Sequence, residues 1–243
     1  MTIKICFISH SSGLMGAEKS LLETIKVLKE EGMKCFVLLP YNGPLVRELE
    51  KLNVTYKVFF YRGWVYYFVS PIWKRIARII LSFVMIFPIS LIIKRWHCDV
   101  IYTNTITVCV GALASIIIGK PHIWQIHELV YKNQGIKFDL GNRFSIWLIK
   151  KISTILIINS KAVEKEYKPF FPSKKMKVVY QPVNICNYVP KEFYDLKRKI
   201  EQETNFKCVI VGSLHEGKHP DEAIQAINVL IKKEFKIKLY IVG

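Results

Sequence analysis

The chain is poor in acid. Its 243 residues hold 19 Asp plus Glu against 36 Lys plus Arg, a formal net charge of +17 at pH 7. That imbalance works against basic partners and favours anionic ones such as phosphates or acidic lipid headgroups. No signature of a nucleic-acid recognition module accompanies it. Metal-binding spacing is lacking as well: Cys6, Cys35, Cys98, Cys109, Cys186 and Cys208 are scattered, with no C-x-x-C and no histidine pair. They read as reduced core thiols of a cytoplasmic protein, and no metal is expected. The opening "MTIKICFISHSSG" has too short an apolar run for a signal peptide and reads as a first strand.

A long uninterrupted apolar run is also missing. The nearest approach is "RIARIILSFVMIFPISLIIKRW", where residues 79–93 carry no charge but contain Pro88 and are flanked by Lys74, Arg75, Arg78, Lys94 and Arg95. A spanning helix needs about 20 apolar residues. The segment therefore predicts a helix packed on a sheet or lying on an anionic membrane surface, the packed reading taking precedence. The chain is 51% hydrophobic with a mean hydropathy of +0.22, so some apolar surface is expected to meet a membrane or a further domain.

What the sequence does have is regular alternation. Apolar, β-rich stretches occur at 3–8, 35–39, 54–59, 100–102, 123–126, 155–158 and 177–180. Between most of them lie segments of helical period, such as "AEKSLLETIKVLKEEG", which ends at Gly32 like a capped helix. Strands alternating with helices predict an α/β, Rossmann-like doubly wound parallel sheet. The pattern breaks over "QPVNICNYVPKEFYDLKRKIEQETN", and a new β-α-β starts at Cys208. This gives an N-terminal domain over 1–185, a linker over 186–205 and the beginning of a second Rossmann-like domain over 206–243. One such unit cannot make a core alone, so the chain is expected to be a truncated piece.

Four places could carry chemistry. In "HSSGLMGAEKS" a turn runs into a helix near Gly16, Ala17 and Glu18; glycine admits a ligand to the backbone and a helix N-terminus offers free N–H groups to an anion. Gly13 and Gly16 do not make G-x-G-x-x-G, and a tight βα turn explains them equally well. His127 and Glu128 in "WQIHELVY" follow a strand at the edge where open α/β sheets bind ligands, although a lone histidine there is often an ordinary loop residue. Asn159 or Ser160 reads as an N-cap. Finally, "VGSLHEGKHPDEAI" resembles a P-loop but has His219 where Ser or Thr is needed. His219, Pro220, Asp221 and Glu222 read instead as a helix start, with Lys218 able to offer a point charge to a diphosphate.

Together these stretches carry a resemblance. "GLMGAEKSLLETIKVLKEEG", "DVIYTN", "HE", "INSKAV", "VVYQPVNI" and "VGSLHEGKHPDEAIQAI", in that order and across nearly the whole chain, are similar to glycosyltransferase family four, whose members have the GT-B fold. The resemblance implies retaining transfer of a sugar from a nucleotide-diphosphate sugar, with no cofactor or metal. It assigns His127 to the transferred sugar, and Lys218, Gly212 and Ser213 to the donor diphosphate. Gly16, Ala17, Glu18 and Glu128 fall to the acceptor side of the cleft. Met15 stands where the family usually has glycine, Ser213 where many members have arginine, and Gln181-Pro182-Val183-Asn184 where the family usually reads Pro-Asn-Gly-Val-Asp. The family's glutamate pair is expected beyond Gly243, so this chain alone is expected to be inactive. A glycan or lipid-linked acceptor, cell-surface glycan synthesis, a cytoplasmic location and peripheral contact with an anionic membrane complete the expectation. The rivals are a non-catalytic membrane-surface binding domain or degenerate remnant, a P-loop NTPase, and a sugar-nucleotide epimerase, for which more acidic and histidine residues are expected.

Overall fold

In a computed structural model, residues 2–67, 70–128, 136–181, 191–202, 204–212, 214 and 219–242 are described. The chain divides into two compact units, Met1–Pro182 and Val183–Gly243.

The first unit is a seven-stranded, wholly parallel sheet. Its strands are β1 (Lys4–Ser9), β2 (Lys34–Leu39), β3 (Thr55–Val58), β5 (Val100–Asn104), β6 (His122–Ile126), β8 (Ile155–Ile158) and β9 (Met176–Val178), in spatial order β3-β2-β1-β5-β6-β8-β9. The predicted strands all recur within a few residues. Strands buried on both faces need no polar alternation, which is why β1 and β2 read as continuous apolar runs. The sheet order reverses between β1 and β5, where Ile5 pairs with Val100. That reversal opens a crevice at the carboxyl ends of the two strands.

Helices cover both faces, as right-handed crossovers require. On one face α1 (Gly16–Glu30) and α2 (Pro44–Lys51) bury Leu21, Leu22, Ile25, Leu45 and Leu49 against Phe7, Val37 and Leu39. On the other lie α3 (Ile72–Arg95), α4 (Val110–Ile118), α5 (Asn142–Ile152) and α6 (Lys161–Tyr167). Here Ile86, Ile89 and Ile93 of α3 pack on Cys6, Ile8 and Ile101. Gly111 lets α4 approach the sheet: a Cβ there would stand 2.5 Å from Ile8 Cγ1 and 2.7 Å from Thr103 Oγ1. A short antiparallel ribbon, β4 (Val65–Tyr67) with β7 (Ile136–Phe138), was not expected from the sequence. It is tied to the sheet through Trp64, which stacks on Trp124.

Helix α3 runs through Pro88 for 24 residues, longer than the uncharged stretch suggested. It satisfies the core-helix expectation on one side only, since several of its large apolar side chains are exposed.

The second unit pairs β10 (Phe206–Val211) with β11 (Ile237–Val242) in parallel, joined by α8 (Pro220–Lys232). The stretch expected as linker holds a helix, α7 (Lys191–Glu201).

Candidate active site

The carboxyl edge of the first sheet gathers polar residues from five strand ends. Strand β1 ends at Ser9, and the following turn delivers the chain to α1. The Ser11–Ser12 segment of that turn is held against α2: Leu45 N–H donates to Ser12 O at 3.0 Å, and a Cβ on Gly43 would come within 2.4 Å of the same oxygen. The first intrahelical bond of α1 is donated by Lys19 to Met15 O. The amides of Gly16, Ala17 and Glu18 precede it, so helix geometry leaves them without an intrahelical acceptor. Nothing lies within 4 Å of where a Gly16 side chain would start. This helix N-terminus is open and carries the positive end of the dipole.

Glu18 is buried rather than presented to the cleft. One carboxylate oxygen accepts from Met15 N–H at 3.0 Å; the other lies 3.4 Å from His10 Nε2, close enough for an ion pair but without hydrogen-bond alignment. Glu18 thus caps its own helix and lies beside His10, a residue that no motif singles out. Burial lowers the His10 pKa and the Glu18 charge opposes that shift.

His127, just past β6, is locked by side chains from two other strand ends. Its Nε2 lies 3.1 Å from Asn104 Oδ1 at the end of β5, and the Asn104 amide nitrogen donates to Ala17 O at 3.0 Å. The Gln181 side-chain amide donates to His127 Nδ1. With Nδ1 accepting and Oδ1 able only to accept, the ring is assigned as the neutral Nε2–H tautomer. Burial, assisted by the neighbouring His10, pushes its pKa down to about 4. The imidazole is therefore uncharged near neutral pH and suited to hydrogen bonding rather than to acting as a cation.

Glu128 turns onto the backbone. Its carboxylate accepts from His127 N–H at 3.2 Å and Ile106 N–H at 3.4 Å. Burial pushes its pKa up to about 6 and those amides pull it back. Beside it, Thr105 has a φ of 117°, an unusual conformation for a β-branched residue. It is held there by the Trp124 indole N–H on its carbonyl at 2.6 Å and by Thr107 Oγ1 on its hydroxyl at 2.6 Å. Strain of this kind costs on the order of 1–3 kcal/mol and gathers at functional edges. At the next strand end, Asn159 donates to His127 O at 3.5 Å, while Ser160 is the N-cap of α6, accepting from Val163 N–H at 3.3 Å.

The structure thus brings Gly16, Ala17, Glu18, His127 and Glu128 onto one edge and adds His10, Asn104 and Gln181. Asn104 and His10 could have been found by inspecting the residues at the carboxyl end of every strand, since that is where such sheets bind ligands. Gly212 lies in the second unit, and there the expectation needs correcting. Its N–H donates to Val242 O at 2.9 Å, extending the β10–β11 ladder, so it is not a free donor for a diphosphate. Ser213 and Lys218 lie outside the described residues. His219 and Pro220 do begin α8, with Asp221 and Glu222 in its first turn, as the helix-start reading of this motif required. Among the described residues, no group of three His, Cys, Asp or Glu could hold a metal ion.

Comparison with known proteins gives the arrangement its context. No curated protein matches the chain by sequence. Solved structures match its fold across almost its full length. The Anabaena protein Alr3699/HepE in complex with UDP superposes with a TM-score of 0.63 at 20% identity, over 99% of this chain and 70% of that one. A glycosyltransferase from Rickettsia africae gives 0.67 at 16%, over 100% and 69%. The lipopolysaccharide outer core galactosyltransferase WaaB gives 0.63 at 15%, over 99% and 68%. At these identities the likeness establishes a GT-B architecture. The family model described as Glycosyltransferase Family 4 matches residues 15–186, from the start of α1 to just past Gln181, and the chain belongs to that family of enzymes.

Proposed function

We propose that the protein transfers a sugar from a nucleotide-diphosphate sugar, with retention at the anomeric carbon, to a glycan or lipid-linked acceptor in cell-surface glycoconjugate synthesis. The observation that carries this reading is the neutral imidazole of His127, fixed by Asn104 and Gln181 on the same edge as the open N-terminus of α1. A neutral Nε2–H is suited to donate to a sugar hydroxyl once Asn104 yields it. The open helix end is suited to an anionic or hydroxyl-bearing group.

Retention without a covalent enzyme intermediate fits the carboxylates. Glu18 and Glu128 both turn onto backbone amides, so neither is presented as a nucleophile. On this reading the barrier falls because the departing diphosphate is stabilised as its charge develops, the role proposed for Lys218 and the amide of Ser213. The site residues of the first unit would then orient the sugar and the acceptor. A cytoplasmic location accords with five free cysteines among the described residues, four of them buried.

The test is a panel of UDP-, GDP- and ADP-sugars incubated with the enzyme and candidate acceptors, with the product's anomeric configuration read by NMR. His127→Ala and Lys218→Ala should each lower kcat/KM by about 100-fold or more. A product of inverted configuration would refute retention. Wild-type rates in both variants would refute the assigned roles.

A further inference from the structure

We propose that the outer side of the α3–α4–α5 layer is a docking surface for an anionic lipid bilayer. Trp73, Ile76, Ile80, Phe83, Phe87 and Leu91 recur at intervals of three or four along α3 and are 43–66% exposed. They form one continuous apolar stripe. Within the first fourteen residues of the helix only Ser82 is buried. The neighbouring helices add exposed Ile116, Ile117, Phe144 and Trp147, and a shallow apolar pocket between the C-terminal end of α4 and α5 is bordered by Lys120 and Lys151. A patch of this extent on a water-facing surface calls for a partner.

Charge identifies the partner. Helices α3, α4 and α5 contain eight Lys and Arg and no Asp or Glu. On the opposite face of the sheet, α1 and α2 contain five of each sign. Arg75 and Arg78 share the single carboxylate of Asp139, which offsets one of their two charges, and Lys74, Lys94, Arg95, Arg143, Lys150 and Lys151 add further positive charge along these helices. An apolar face whose rim carries a large excess of cations, with Asp139 and Asp99 as the acids paired to it, matches acidic headgroups over acyl chains. Pairing with a second copy would bring the same cations together, which disfavours that occupant.

The helix lies on the bilayer and does not cross it. Although α3 is long and apolar enough to span, its Ile86, Ile89 and Ile93 are built into the core with Cys6, Ile8 and Ile101. Spanning would tear that core open. Because α3 leads into β5, it runs from the carboxyl edge of the sheet to the amino edge, so its exposed first turns lie on the edge that carries His127. If the transferase reading holds, an acceptor anchored in lipid would be presented next to the site. The docking surface itself rests only on α3, α4 and α5.

The experiment is co-sedimentation of the 243-residue chain with phosphatidylcholine vesicles, with and without phosphatidylglycerol, at low and high salt. Binding should require the anionic lipid and weaken with salt, and emission from Trp73 should shift to the blue and be quenched by brominated lipid. Phe83→Asp combined with Phe87→Asp, and separately Lys94→Gln combined with Arg95→Gln, should each weaken binding by about tenfold or more. Melting temperature should be unchanged in both, since these side chains are exposed. Failure to bind phosphatidylglycerol vesicles, or binding untouched by both double variants, overturns the proposal. So does a stable dimer in solution that the Phe83/Phe87 variant converts to monomer.

Discussion

Acidifying the protein from about pH 7 to pH 5 should weaken its first unit by about 2 kcal/mol, through two histidines of the parallel sheet. His122 is 1% exposed, with Nε2 2.8 Å from Thr103 Oγ1 and the ring edge-on to Trp124, and burial pushes its pKa down to about 3. His127 is held at about 4. Both titrate near 6.5 when unfolded, so the unfolded chain binds more protons below that value and folding loses stability as pH falls from 6.5 towards 4 or 3. At one pKa unit per 1.36 kcal/mol, His122 loses about 2 kcal/mol over this interval, and His127, discounted for its partial exposure, about 1. His10, lowered by burial, acts in the same direction. Glu128 acts in the opposite one. Raised to about 6 from 4.5, it stabilises the fold at low pH and loses that contribution as pH rises through 6, returning about 1 kcal/mol on acidification. Urea unfolding followed by tryptophan fluorescence isolates this unit, because all five tryptophans precede residue 183. His122→Asn should flatten the pH dependence by about 2 kcal/mol whatever it does to stability at neutral pH. Equal stability of the parent at the two pH values, or an unaltered slope in the variant, would refute this account.

Other perturbations test the supports of the site. Gly43→Ala would place a Cβ against Ser12 O, and the resulting displacement of the turn before α1 should lower stability by about 1–3 kcal/mol in urea titrations. Gly111→Ala should cost a similar amount at the α4–sheet contact, partly offset by the helix propensity of alanine, about 1 kcal/mol. Asp139→Ala removes the buried partner of Arg78, whose nitrogens reach its carboxylate at 2.6 and 2.8 Å; a loss of about 2–4 kcal/mol is expected in thermal melts, where Asp139→Asn should lose less. Ser160→Ala deletes the N-cap of α6 and should cost about 1 kcal/mol.

The apolar pattern was enough to recover the seven strands of the main sheet: β1 and β2, buried on both faces, read as unbroken apolar runs, while β3 at the sheet edge alternates in burial. The β4–β7 ribbon escaped because its pairing joins Val65 to Phe138 across the whole of α3, a partner that no local pattern announces. Of the site, the residues at motif positions were visible: His127 and Glu128 by their strand end, Gly16 to Glu18 by their helix start. Their states were not. Whether Glu18 faces a ligand or caps its own helix depends on a side-chain direction that sequence does not encode locally. The strain at Thr105 arises from Trp124 and Thr107 closing around it, and threonine alone gives no hint of a positive φ. Gly212 illustrates the converse, since a loop glycine that looked free to hold phosphate has its amide drawn into the ladder by Val242, thirty residues on.

The ordering of the strands also sets when the imidazole can be locked. Strand β1 meets β2 early, but its other neighbour, β5, lies almost a hundred residues downstream, as the Ile5–Val100 pairing shows. Gln181, the last described residue of the first unit, supplies the final hydrogen bond to His127. During synthesis the histidine would therefore wait for more than fifty further residues before its tautomer is fixed. Long-range pairings of this kind are closed late and slowly. The hydrogen-bonded state of His127, read from its ring nitrogen resonances, thus reports the completion of the whole sheet in a way that secondary-structure content does not.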